Sequence, residues 1–127
     1  MTGQAFIEIE GGKPLSGSVC VQGSKNAILP MLAASLLPEN GCSVIRNVPP
    51  LNDILVAFEL MRHVGATVDY FPNEKVVCVD ATHLIRSDLP ESLTCRLRAS
   101  VLFIPPLLKR LGEVRLPSVG GCPLGAR

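Results

Sequence analysis

The sequence has no tryptophan, and aromatic residues make up only 4% of its 127 residues. A core built from it must therefore be aliphatic, made of Leu, Ile, Val and Ala. Charge is scarce as well: charged residues are 18% and the formal net charge is +1. No basic cluster interleaved with aromatics is present, so nothing supports nucleic-acid binding. No apolar run approaches the roughly 20 residues that a membrane helix needs. The N-terminal "MTGQAFIEIEGG" carries Glu8 and Glu10 and lacks the apolar stretch of a signal peptide. With hydrophobic residues at 47%, disorder is excluded too.

Cysteine is present, but in no metal-binding pattern. The five residues stand at 20, 42, 78, 95 and 122, without a CxxC pair, and His63 and His83 fall in no zinc spacing. An odd count leaves at least one thiol free. Four of the five lie in apolar runs and are expected to be small buried hydrophobes in a reducing cytosol.

Periodicity places the elements. "AFIEI" (5–9) and "GSVCV" (17–21) alternate and predict short strands around the turn "EGGKPLS". "GSKNAILPMLAASLLPENG" predicts a helix with Ser24 as N-cap and a possible kink at Pro30. "CSVIRNV" predicts a strand. Ile54, Leu55, Phe58, Met61 and Val64 form a helical stripe in "PPLNDILVAFELMRHVG". "ATVDYF" and "KVVCVD" around "PNE" predict a hairpin. A third helix over "PESLTCRLRASVLFIPPLLKRLG" should break or bend at Pro105-Pro106, and "EVRL" predicts a last strand. From residue 41 the order is strand, helix, strand, strand, helix, strand. The fold class is therefore α/β (α+β), with a repeated β-α-β-β unit of which this chain holds about one and a half copies.

Three segments carry candidate chemistry. In "QGSKNA", Lys25 and Asn26 stand in the first turn of a helix, where free N–H groups and the helix dipole favour an anion. A capped helix start with a solvated lysine is the blander explanation, and Asp53 reads the same way, as a first-turn acid. In "TCRLRAS", Arg96 and Arg98 point to different sides of a helix, so only one can serve a given site. Arg98, among apolar neighbours, is expected to be partly buried against an anion; a surface pairing with Glu91 or Asp88 is the alternative. In "GGCPLGAR", Gly120, Gly121 and Gly125 give the backbone freedom for a mobile lid. An exposed Cys122 there, with Arg127 near, suggests a reactive thiol beside a second anion contact, an incidental surface cysteine being the alternative.

"GSKNAILPMLAASLL", "VIRNVPPLNDI", "LRAS" and above all "GGCPLGAR", in this order, resemble the N-terminal part of the UDP-N-acetylglucosamine 1-carboxyvinyltransferase (enolpyruvyl transferase) family. The sister family, 3-phosphoshikimate carboxyvinyltransferase, shares the "GSK" start but lacks the Gly-Gly-Cys loop. The resemblance implies an inside-out α/β barrel of two lobes, incomplete here. Residues 1–23 would belong to the other lobe and 24–127 to the first part of the lobe that carries the lid. It implies transfer of the enolpyruvyl group of phosphoenolpyruvate to the 3-hydroxyl of UDP-N-acetylglucosamine, with loss of phosphate, in the cytoplasm, as the first committed step of peptidoglycan synthesis. Lys25 and Asn26 would then lie at the substrate site and Arg98 on the UDP-sugar. Arg127 would close on the substrates, and Cys122 would be the lid thiol that donates a proton and that fosfomycin alkylates. No metal or organic cofactor and no membrane is implied. The remainder of the enzyme, the second lobe, is expected to be needed for activity, leaving this chain inactive alone. The alternative is a module that binds a nucleotide sugar or phosphate without chemistry.

Overall fold

The computed structural model describes residues 6–120. Helix α1 spans Lys25–Ala34, strand β1 Cys42–Arg46, helix α2 Asn52–His63, strands β2 Thr67–Phe71 and β3 Val76–Asp80, and helix α3 Glu91–Thr94. A 3₁₀ turn follows over Arg98–Phe103 and leads into helix α4, Ile104–Leu111. The three strands form one antiparallel sheet in the order β1-β3-β2. It is a β-α-β-β unit followed by further helix, as the repeat pattern predicts.

Alternation sets the two sheet faces. Ile45, Val68, Tyr70, Val77 and Val79 turn to the core, while Cys42, Val44, Cys78 and Asp69 turn outward. Helix α2 closes the core side with Ile54, Phe58 and Met61. Val56, Ala57 and Leu60 are buried too, so this helix is covered on more than the predicted stripe, and Leu55 is exposed instead. The Phe58 ring meets Tyr70 with centroids 5.2 Å apart, within the favourable range for tilted aromatic pairs. Helix α1 adds Ile28, Leu29, Leu32 and Ala33. It continues through Pro30, which is exposed.

Four expectations need correction. Residues 6–23 form neither predicted strand, and Phe6, Ile7, Ile9, Val19 and Val21 are all more than four-fifths exposed. Alternation alone does not make a strand where no sheet edge accepts its backbone hydrogen bonds. The third helix breaks at Cys95–Leu97, well before the prolines. Pro105 and Pro106 instead open α4, because in a first turn the missing N–H has no intrahelical acceptor to lose. "EVRL" makes a single parallel bridge, Asp88 with Arg115, held by Leu89 N–H to Arg115 O (2.9 Å) and Arg115 N–H to Ser87 O (2.7 Å). Cys20, Cys42 and Cys95 are exposed and Cys78 is half-buried, because each occupies an outward position of its element or lies in unpaired chain.

Arg110, near the end of α4, ties distant segments together. Its guanidinium donates to the carbonyls of Leu36 (2.9 Å) and Pro38 (2.6 Å) after α1, and of Ala81 (3.0 Å) and Thr82 (3.5 Å) after β3. A planar fork of donors suits such divergent acceptors, whereas an ammonium group does not. Hydrogen bonds to a charged group contribute about 1.5–3 kcal/mol. Arg110→Ala is therefore expected to lower unfolding free energy by about 2–3 kcal/mol in urea denaturation, with an unchanged m-value, and Arg110→Lys to recover only part of it.

Candidate functional site

Lys25 is the first residue of α1 and Asp53 the second of α2. Packing of α1 on α2 brings these two helix starts together, and Lys25 Nζ meets Asp53 Oδ2 at 2.8 Å. Gly23 fixes the entry to α1: a Cβ there would stand 1.8 Å from the carbonyl oxygen of Asn47, in the turn after β1. Only glycine allows that approach. Asn47 has φ 60°, a left-handed conformation that asparagine tolerates better than most residues.

An open pocket of about 350 Å³ lies at this junction, lined by Lys25, Asn26, Leu29, Asp53, Arg98, Ala99, Val101 and Leu102. The structure therefore gathers Lys25, Asn26 and Arg98 in one place, together with Asp53, which the sequence offered only as a first-turn acid. Its floor is aliphatic and its rim carries two cations, an amide and one carboxylate. Free N–H groups and the positive dipole ends of α1 and α2 add to the attraction for an anion. Pro30 has no N–H to donate to the Asn26 carbonyl four residues earlier.

Arg98 opens the 3₁₀ turn and is exposed, which corrects the expected partial burial. The extended backbone of Leu97 lifts the chain out of α3 just before it, so Arg98 reaches the rim instead of the core. Arg96 turns away to Glu59, 3.7 Å distant, although the helix expected to separate the two arginines breaks between them at the extended Leu97. Neither Glu91 nor Asp88 pairs with Arg98. Glu91 accepts from Ser118 Oγ, and Asp88 lies 3.6 Å from His63 Nε2.

The Lys25–Asp53 pair is the part that sequence spacing missed. The side chains are 45% and 34% exposed, and pairs this open contribute about 0–1 kcal/mol. Asp53 thus holds Lys25 in place at little cost to a stronger anionic partner. The two residues are 28 positions apart, and no local periodicity links them; the one available signal was that both open helices.

Cys122 and Arg127 lie outside the described residues. The chain leading to them is anchored on α3. Thr94 Oγ1 donates to Ser118 O at 2.9 Å, Gly120 N–H donates to Thr94 O at 3.0 Å, and Ser118 Oγ bonds Glu91. A Cβ on Gly120 would stand 1.5 Å from the Cys95 carbonyl oxygen. Gly120 is not in the left-handed region, so it serves close packing and not the expected freedom of φ. The segment's root sits on the helix that immediately precedes Arg98.

Comparisons with known proteins point to one family. The family described as EPSP synthase (3-phosphoshikimate 1-carboxyvinyltransferase) matches residues 9–127. A UDP-N-acetylglucosamine 1-carboxyvinyltransferase of Thermobifida fusca is 47% identical over 94% of this chain and 28% of its own length. UDP-N-acetylglucosamine 1-carboxyvinyltransferase 2 of Staphylococcus saprophyticus is 43% identical over 96% of this chain and 29% of its own. The crystal structure of the enolpyruvyl transferase NikO from Streptomyces tendae superposes with a TM-score of 0.70 at 31% identity, covering 80% of this chain and 23% of that one. The chain thus spans between a quarter and a third of the length of the curated relatives it matches. With its β-α-β-β unit and the sequence match from residue 9 onward, the chain belongs to the EPSP synthase family of enolpyruvyl transferases.

Proposed function

We propose that these residues form part of a UDP-N-acetylglucosamine 1-carboxyvinyltransferase, which moves the enolpyruvyl group of phosphoenolpyruvate to the sugar 3-hydroxyl and releases phosphate. The observation that carries this reading is the convergence of Lys25, Asn26 and Arg98 on one pocket. Relatives at 43–47% identity bear that enzyme's name, and the Gly-Gly-Cys segment favours it over the shikimate enzyme. The setting is the cytoplasm and peptidoglycan synthesis. Among the described residues no helix is long and apolar enough to cross a membrane.

The chemistry fits the parts. Phosphoenolpyruvate carries a phosphate and a carboxylate, and UDP-N-acetylglucosamine a diphosphate. Lys25 and Arg98, at the positive ends of helical segments, supply charge where these anions must be held. On arrival of a phosphate, Lys25 exchanges Asp53 for a partner of higher charge, so the lysine is already oriented before binding. Protonation of the alkene carbon makes the neighbouring carbon cationic, and the sugar hydroxyl attacks it; elimination then expels phosphate. Cys122 is the acid in this scheme and the point of fosfomycin alkylation, and Arg127 closes over the anions. An acid that must act away from water belongs on a closing segment. The carboxylate that accepts the hydroxyl proton comes from the second lobe implied by the resemblance, and turnover is assigned to that two-lobed assembly.

Two titrations of the chain test the binding half of this reading. With UDP-N-acetylglucosamine, amide NMR signals of Lys25, Asn26, Asp53 and Arg98 are expected to shift together, and Lys25→Ala or Arg98→Ala to weaken binding at least fivefold. Shifts confined to other residues, or unchanged affinity in both variants, would overturn it. With inorganic phosphate, Asp53→Asn is expected to tighten binding about two- to fivefold. That is the equivalent of the roughly 0.4–1 kcal/mol carried by a half-exposed ion pair. A weakened phosphate affinity would show that Asp53 supports the anion and does not compete with it.

A further inference from the structure

The outward face of the sheet holds a feature that enolpyruvyl transfer does not use. In the β1–β3 ladder Cys42 faces Asp80 and Val44 faces Cys78, so Cys42 and Cys78 are diagonal neighbours on one face. Cys42 is exposed, Cys78 is half-buried, and both are free thiols. Strands held in register by their ladder give the two sulfurs little freedom to separate.

The neighbours limit what such a pair can hold. Diagonal positions have Cα atoms roughly 7–8 Å apart. A disulfide usually needs about 4.4–6.8 Å, so a direct S–S bond would require the strands to shift, whereas one bridging atom would not. Asp80 is already committed to Thr82, whose amide and hydroxyl donate to it at 2.8 and 2.6 Å. Among the described residues no group of three or more His, Cys, Asp or Glu is placed to hold a metal ion. Zinc, which needs four ligands or three and a water, is therefore not suited. Two thiolates without further donors suit a soft, low-coordinate ion. Asp69, beside Cys78 on β2, and Asp80 flank the pair; Arg46, on the same face of β1, lies four register positions beyond the Cys42–Asp80 row.

We propose that Cys42 and Cys78 form a dithiol site on the open face of the sheet for a soft monovalent cation of the Cu(I) class. Binding forms two S–Cu bonds and releases two thiol protons to solvent, with copper remaining Cu(I), so the neutral pair becomes a site of net charge −1. The site is independent of the pocket at Lys25.

The test uses the full 127-residue chain, fully reduced and without oxygen, titrated with Cu(I) against a colorimetric Cu(I) chelator. The combined variant C20S, C95S and C122S, which retains only the proposed pair, is expected to withhold one equivalent. Adding Cys42→Ser or Cys78→Ser is expected to lower its competing affinity at least tenfold. Copper edge spectroscopy should report two sulfur neighbours, and size-exclusion chromatography a copper-loaded monomer. Cys42→Ala and Cys78→Ala, checked by circular dichroism, keep the result readable if a serine variant folds poorly. Copper held equally tightly with one thiol, or left entirely to the chelator, would overturn the proposal. So would a copper-bridged dimer, or ready air oxidation of the pair to an intramolecular disulfide.

Discussion

The arrangement of two helix starts at one edge of an aliphatic core is the constraint from which the rest of the site follows. Leu29 and Leu32 of α1 and Ile54 and Phe58 of α2 are buried in the same core, and their helical spacing fixes which ends of the helices meet. Two positive dipole ends side by side repel, and each leaves unsatisfied N–H groups. Asp53 relieves this by placing a carboxylate in the first turn of α2, within 2.8 Å of Lys25. The junction still carries more positive than negative groups, because Arg98 enters from the 3₁₀ turn. The positive character of the junction is thus a consequence of helix packing as much as of the side chains.

Glycines make that packing possible at two places where no other residue fits. Gly23 lets the chain pass against Asn47 just before α1, and Gly120 lets it pass against Cys95 just after the last bridge. The first sets where Lys25 starts its helix; the second sets where the Cys122 segment leaves α3. Arg110 supplies the matching restraint at the opposite ends of α1 and β3, binding carbonyls that follow each of them. A pocket rim built from residues of three separate helical segments keeps its shape only if the segments cannot slide, and these contacts oppose sliding.

Much of this was legible in the residues alone. The helices α1 and α2, the strand at Cys42–Arg46 and the hairpin of β2 and β3 follow from periodicity and turn composition, because local pattern and burial agree there. Lys25 and Asn26 were visible as a helix start. What escaped was non-local. The partner of Asp53 lies 28 positions away, and the acceptors of Arg110 lie 28 to 74 positions away. The outward turn of Arg98 depends on one extended residue, Leu97. The failed strands over 5–9 and 17–21 show the same limit from the other side. Their alternation is real, but a strand is completed by a neighbour, and among the described residues none pairs with them.

The exposure of Lys25 bears on how the pocket works. The open pocket has Lys25 45% exposed, and in water a single ion pair of that openness contributes too little to bind a small anion tightly. The same charges act far more strongly once water is excluded, since the interaction scales inversely with the local dielectric. On the proposed function, an open rim of two cations and one exchangeable carboxylate selects an anion loosely, and exclusion of water from it strengthens the hold. That looseness explains why Asp53 is useful: a strong buried pair would lock Lys25 away from its ligand, whereas a weak exposed one keeps it poised and yields to a phosphate.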